Sequence, residues 1–315
     1  MIESIGLGKT FRGRRSKVEA VSGVDLVVKA GEVFGFLGPN GAGKTTTVRM
    51  LATLLRPSFG RATVCGADLV GQPREVRKHI GYVGQRGGTD PSMTAWQELI
   101  IQCRFHGMNK SAALARAQWA IDAFELGECA DRRTGTYSGG QRRRLDLALG
   151  MMHSPKLLFL DEPTAGLDPP SRANLWVQVR RLRDEGMTVF LTTHYLDEAD
   201  ALCDRLVIID RGQIAAEGTP QDLKREIAGD IIVVGVEGDA KTIRKVLAEQ
   251  PFVRDADEPD PQTVRLFVEK GETALPHVMR LLDAHGAELR SIALERPSLD
   301  DVFLRKTGRS LRDAK

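Results

Sequence analysis

The sequence predicts an α/β protein of two domains, a mainly parallel sheet built around a phosphate-binding loop followed by a small α+β domain of ferredoxin-like order. Three observations carry this. Gly38-Pro39-Asn40-Gly41-Ala42-Gly43-Lys44-Thr45-Thr46 lies between the apolar run Val33 to Leu37 and the helix-like run Thr47 to Leu51, so it reads as strand, loop, helix. Leu157-Leu158-Phe159-Leu160 is continuously apolar and ends in Asp161-Glu162, as in parallel strands covered on both faces. Beyond Gly229 the order becomes strand, helix, strand, strand, helix, strand, the βαββαβ pattern.

The loop carries the most specific chemistry. Its spacing matches G-x-x-x-x-G-K-[ST], in which glycines turn successive backbone N–H groups onto a di- or triphosphate and the following helix N-terminus adds its positive end. In this pattern Lys44 bridges the β and γ phosphates and the Thr45 hydroxyl holds Mg²⁺. A glycine-rich turn needs no ligand, but Lys44-Thr45 directly after Gly43 is what a phosphate site requires.

Composition narrows the class. With 315 residues the chain is long enough for one large and one small domain, and 42% hydrophobic with 28% charged residues excludes disordered and fibrous proteins. A net charge of +3 does not by itself argue for nucleic acid, which needs basic residues gathered on one face. The two basic clusters, Arg12, Arg14, Arg15 and Lys17, then Arg142, Arg143 and Arg144, read as solvated faces. Cys65, Cys103, Cys129 and Cys203 form no C-x-x-C pair, so reduced, mostly buried thiols are expected rather than zinc or disulfides. No apolar run approaches the length of about 18 residues that spans a bilayer, and no leader pattern opens the chain. A cytosolic protein, or one bound to a membrane only through something else, is expected.

In order, Ile2 to Lys9 and Val21 to Val28 read as an antiparallel hairpin leading into the core sheet. Phe11 within it reads, taken alone, as a core aromatic. Gln85 follows the strand Ile80 to Val83, at the carboxyl end where α/β folds bind ligands; singly, it is an ordinary loop glutamine. Thr94 to Phe105 and Lys110 to Phe124 have helical periodicity, with Trp96, Leu99, Ile100 and Cys103, then Leu114, Ala117, Ile121 and Phe124 on shared faces. Ser138-Gly139-Gly140-Gln141 precedes another helix and makes a second phosphate cradle of hydroxyl, glycine and dipole. Asp161 can bind Mg²⁺ through water and Glu162 can polarise an attacking water, although two acids after a strand also serve as a helix cap. Asp168 turns the chain into the helix Ser171 to Glu185, and the strand Thr188 to Thr193 delivers His194, which at that strand end can contact a γ-phosphate, although a lone loop histidine is usually incidental. Asp204 to Asp210 and Gln213 to Gly218 form a closing hairpin around Arg211-Gly212. The domain boundary is placed at 228/229.

These pieces together resemble the ATP-binding subunits of ABC transporters over roughly the first 220 residues. Lys44, Gln85, Ser138 to Gln141, Asp161-Glu162, Asp168 and His194 stand in the order of the family's Walker A lysine, Q-loop, signature, Walker B with catalytic glutamate, D-loop and switch histidine. Phe11 falls where the family places its adenine-stacking ring. Glu295 to Leu304, with the small αβ domain, looks like the daunorubicin-resistance type of exporter ATPase. The resemblance implies a RecA-like sheet with antiparallel β and helical subdomains, the latter about 90–153. It implies ATP held by Phe11, Gly38 to Thr46, Ser138 to Gln141 and Asp168; Mg²⁺ held by Thr45, Gln85 and Asp161; and catalysis by Glu162, His194, Lys44 and Gln85. It also implies a head-to-tail homodimer and a separate membrane permease that handles a small hydrophobic substrate. No nucleic acid is expected, and the place is the cytoplasmic face of the membrane. The competing readings are a soluble ABC-type ATPase acting on ribosomes or nucleic acid and an ATP-sensing scaffold without turnover.

Overall fold

The computed structural model describes residues 1–12, 17–227, 229–237 and 240–310; Arg14 and Arg15 of the first basic cluster lie outside them. A first unit runs from Met1 to Thr219 and a second begins at Pro220.

The first unit opens with β1 (Ile2–Arg12) and β2 (Lys17–Val28), paired antiparallel from Ile2↔Val28 to Arg12↔Lys17. Next come β3 (Val33–Leu37), α1 (Lys44–Leu51), β4 (Phe59–Val64), β5 (Ala67–Asp68), α2 (Pro73–His79) and β6 (Ile80–Val83). The helical insert is α3 (Ala95–Phe105), capped by the Thr94/Gln97 box, and α4 (Lys110–Ala123), capped by Asn109. Then follow α5 (Gly139–Gly150), β7 (Leu157–Asp161), α6 (Pro169–Asp184), β8 (Thr188–Thr193), α7 (Leu196–Leu202), β9 (Arg205–Asp210) and β10 (Gln213–Gly218).

Two sheets result. The hairpin precedes the core sheet without pairing into it: β1 and β2 form their own antiparallel sheet with β4 and β5, in the order β2-β1-β4-β5, which is the antiparallel β subdomain the resemblance implies. The reason is in the burial pattern, since β2 alternates buried Val21, Val24, Leu26 and Val28 with exposed neighbours, which suits a sheet with one wet face. The core sheet has the order β10-β9-β3-β8-β7-β6, parallel except for β10. Every residue of β3, β7 and β8 is buried. Phe34, Phe36 and Phe159 pack around Phe190 with ring centroids 5.5 to 5.7 Å apart. In the β9–β10 turn Arg211 (φ 48°) and Gly212 (φ 78°) are both left-handed, as a two-residue hairpin turn matched to strand twist demands. In the helical insert Leu114 is 42% exposed, and the buried face of α4 is carried instead by Ala113, Ala117, Ala120 and Ile121. All four cysteines are free, and three of them are buried.

The second unit comprises α8 (Pro220–Ile227), β11 (Asp230–Glu237), α9 (Ala240–Ala248), β12 (Val253–Asp260), β13 (Thr263–Val268), α10 (Gly271–Ala284), β14 (Glu288–Glu295) and α11 (Leu299–Thr307). Its antiparallel sheet has the order β12-β13-β11-β14, the ferredoxin-like arrangement. Ile232, Val234, Val236, Val264, Leu266 and Val268 on one face pack with Leu247 of α9 and Val278 and Leu282 of α10. The unit boundary falls before α8 rather than at 228/229. The physical reason is that α8 is tied to α11: Arg305 donates to the Ile227 carbonyl (3.3 Å) and Lys306 pairs with Glu226 (2.9 Å).

Candidate active site

Four adjacent parallel strands, β3, β8, β7 and β6, end on the same side of the sheet, and the residues just past their carboxyl ends are Gly38, His194, Glu162 and Gln85. This is where α/β sheets hold ligands.

The loop after β3 is shaped by close approaches. A Cβ on Gly38 would lie 2.3 Å from the Ile209 carbonyl oxygen, and one on Gly43 2.6 Å from that of Ala20. Gly43 also has φ 105°, in the region that favours glycine. It begins α1 with no side-chain cap and no acid in the first turn, so the helix end is left for an anion. Lys44 is buried and folds back over the loop, donating to the carbonyls of Gly38 (2.7 Å) and Pro39 (3.1 Å) and pairing with Glu162 (3.2 Å). Burial lowers its pKa, opposed by the charges of Glu162 and Asp161.

Glu162 is where the catalytic candidates meet. One carboxylate oxygen pairs with Lys44; the other accepts from Gln85 Nε2 (3.0 Å) and lies 3.3 Å from His194 Nδ1. Its amide donates to the Thr192 hydroxyl (3.0 Å) and backbone carbonyl (3.2 Å), and its φ of 48° is unusual for a residue with a side chain. Burial alone would raise its pKa, but the close approach of His194 and the Lys44 charge outweigh burial and hold the carboxyl below its ordinary value. It is therefore ionised at neutral pH, as a group that polarises water must be.

Asp161, 1% exposed, accepts at Oδ1 from the hydroxyls of Thr45 (3.0 Å) and Thr192 (2.8 Å). Its Oδ2 is buried with no hydrogen-bond partner. A buried, unpartnered carboxylate oxygen beside a hydroxyl fits the hard oxygen donors that Mg²⁺ takes. Among the described residues no three His, Cys, Asp or Glu side chains gather to hold a metal alone.

The second cradle is a capping box. Ser138 Oγ accepts from the Gln141 amide (3.2 Å), and the Gln141 side chain accepts from the Ser138 amide (3.1 Å). Beside it is a hollow of about 70 Å³ lined by Ser138, Gly140, Gln141 and the start of α6, with no phosphate-loop residue in its wall. Asp168 caps α6 by accepting from the Ser171 amide (3.3 Å). Phe11 is not a core residue: its ring is 43% exposed, with Lys9 Nζ 5.4 Å from its centre, on an open surface shared with Arg12, Lys17 and Phe59.

Three residues are added to those read from the sequence. Thr192 orients both Asp161 at the end of β7 and Glu162 just past it, and a threonine pair at the end of an apolar strand was its only signal. Arg143 is not part of a solvated cluster. It is 6% exposed and donates to three backbone carbonyls, while Asp146, one turn on, is also buried; opposite charges three apart on a helix with buried Leu145 and Leu147 mark such a pair. Glu198 is fully buried on α7, bonded by Trp176 Nε1 (3.4 Å) and near the hydroxyls of Thr193 and Thr164. Burial raises its pKa, so the folded state keeps a proton that the unfolded chain releases above its ordinary value of about 4.5. That contribution is full below this value and is lost as pH rises through the folded-state pKa. Glu198→Gln is expected to flatten the fall of Tm with rising pH above about 4.5; thermal melts across pH check this, and an unchanged slope would contradict it.

A family model described as "ABC transporter" matches residues 21–165, and one described as "ATP-binding protein DrrA1-3-like, C-terminal domain" matches 218–307. The chain is 44% identical over 310 residues to the daunorubicin/doxorubicin resistance ATP-binding protein DrrA of Streptomyces peucetius, spanning 98% of this chain and 92% of that protein. The chain belongs to the ATP-binding proteins of the ABC transporter family. The family assignment also agrees with 47% identity over 301 residues to the daunorubicin resistance ATP-binding protein DrrA2 of Streptomyces coeruleorubidus, at 94% and 92% coverage. A dimeric bacterial ABC transporter cassette superposes with a TM-score of 0.64 at 25% identity, covering 70% of this chain and 98% of that one. As a member of the family the chain is a nucleotide-binding ATPase.

Proposed function

We propose that this chain hydrolyses ATP as a head-to-tail homodimer on the cytoplasmic face of the membrane, driving a separate permease that exports apolar drug-like or lipid-like compounds. The observation that carries the reading is the convergence of Lys44, Gln85 and His194 on Glu162 at one end of the sheet, while Ser138, Gly140 and Gln141 line a different hollow. Each phosphate loop is thus half a site, and a second copy supplies the other half. The resistance functions in the relatives' names support the export of apolar compounds. Among the described residues no helix is long and apolar enough to cross a membrane, which supports a separate permease.

In this reading Lys44 leaves Glu162 for the β and γ phosphates, Phe11 lies under the adenine, and Asp168 and the Ser138 cradle close on nucleotide from the partner copy. Closure excludes water other than the attacking molecule. Glu162 accepts a proton as that water forms a bond to the γ-phosphorus and the bond to the ADP oxygen breaks. His194 donates to a γ-phosphate oxygen, and Gln85 turns from Glu162 towards the reacting centre. Thr45, Asp161 and Gln85 would hold Mg²⁺, which would supply charge neutralisation at the phosphates. Replacing one anion by two that repel opens the dimer.

Purification of the tagged full-length chain from detergent-solubilised membranes tests this: the expected companion is a polytopic membrane protein at equal stoichiometry, enriched with ATP. Ribosomes or nucleic acid in its place would move the chain to the soluble class.

A further inference from the structure

We infer that Arg143 is a positioning residue that ties the geometry of Glu162 and Gln85 to the helix carrying the second phosphate cradle. The inference rests on the dimer reading above and adds how the two halves of a site are linked within one chain. Arg143 Nε donates to the Pro163 carbonyl (2.7 Å), Nη1 to that of Gly84 (2.8 Å) and Nη2 to that of Asp161 (3.4 Å). Asp161 and Pro163 flank Glu162, so one guanidinium grips the backbone on both sides of a residue held at φ 48°. Such a conformation persists only where the surroundings over-determine it. The third carbonyl is the one immediately before Gln85.

Asp146, also on α5, takes the other end of that loop, its Oδ1 accepting from the Gly88 amide (3.2 Å). The approach is close: a Cβ on Gly87 would lie 2.6 Å from Asp146 Oδ2. Arg143 and Asp146 are 3.7 Å apart, so the pair acts as one clamp on residues 84–88. The same helix starts at the Ser138 capping box. A small shift of α5, when nucleotide from a second copy docks on its first turn, therefore moves the Gln85 loop and the Glu162 backbone together. Arg143 reaches these carbonyls from three separate nitrogens spread along a planar fork, whereas the three N–H groups of lysine radiate from one nitrogen and cannot span the same carbonyls.

The test uses the full-length protein, with nucleotide affinity read from a fluorescent ATP analogue and turnover from phosphate release over a range of ATP. Arg143→Lys is expected to keep affinity within about threefold, lower kcat by about tenfold or more and bring the Hill coefficient for ATP from near two towards one. The double variant Arg143→Gln/Asp146→Asn removes both buried charges at once, leaving no unpaired ion, and is expected to show the same split should the lysine variant fold poorly. Wild-type kcat and Hill coefficient in folded variants would overturn the inference. So would a kcat that falls only in proportion to the folded fraction, which would make Arg143 a packing residue. Absence of turnover and of ATP-driven dimers in the unaltered protein would instead overturn the function proposed above.

Discussion

Glu162→Gln is expected to bind ATP, hold two copies together and lower kcat by about a hundredfold or more. Glutamine keeps the shape and one acceptor oxygen for Lys44, and Gln85 can turn its own amide oxygen to the new NH₂, so the fold and the loop survive. What it loses is the negative charge at the one point where Lys44 (3.2 Å), His194 (3.3 Å) and Gln85 (3.0 Å) converge. A positioned general base contributes roughly 10² to 10⁴ in rate, and the amide cannot take the proton. Removing the anion also releases Lys44 from its ion pair, so affinity for ATP is expected to be equal or higher. Phosphate release and ATP-dependent dimerisation on a sizing column measure both halves. Turnover at the normal rate would remove Glu162 from the chemistry.

Lys44→Ala has the second large effect, a loss of ATP affinity of about a hundredfold or more. The ammonium lies inside the glycine loop on the carbonyls of Gly38 and Pro39, where a phosphate-binding lysine must be, and charge-assisted bonds to phosphate are among the strong ones. The change also leaves Glu162 without its buried cation. Breaking a buried pair from one side typically costs about 3–5 kcal/mol, but His194 and Gln85 still serve this carboxylate, so a loss of about 1–3 kcal/mol is expected. Adding Glu162→Gln is expected to restore the Tm and leave affinity low. Nucleotide titration and thermal melts of the two single variants and the double check this; tight ATP binding by Lys44→Ala would contradict it.

Local chemistry was the part legible in the sequence. Strand, loop and helix around Lys44 are neighbours along the chain, and the all-apolar strands β3, β7 and β8 announce burial on both faces. The βαββαβ order of the second unit likewise follows from local periodicity. Whatever depends on partners distant in the chain was not legible. The three consecutive arginines 142–144 look alike as letters, yet one points into the fold and finds carbonyls at positions 84, 161 and 163. Phe11 reads as core by its type, but the end of its strand lies on an open surface. Helix α8 looks like the tail of the first unit, and its packing on α11 assigns it to the second.

The sequence by itself determined the chemistry present: the phosphate loop from Gly38 to Thr46, the acids Asp161 and Glu162, the Ser138 cradle and His194. The spacing of the phosphate loop states its use by itself; the acids, the cradle and His194 take theirs from the resemblance that the order of all the pieces carries. Only the tertiary structure decided that Lys44, Gln85 and His194 share Glu162, and that one buried arginine joins their support to the cradle helix. The parallel sheet order places residues 38, 85, 162 and 194 side by side, and that order is a property of long-range packing that no local stretch encodes.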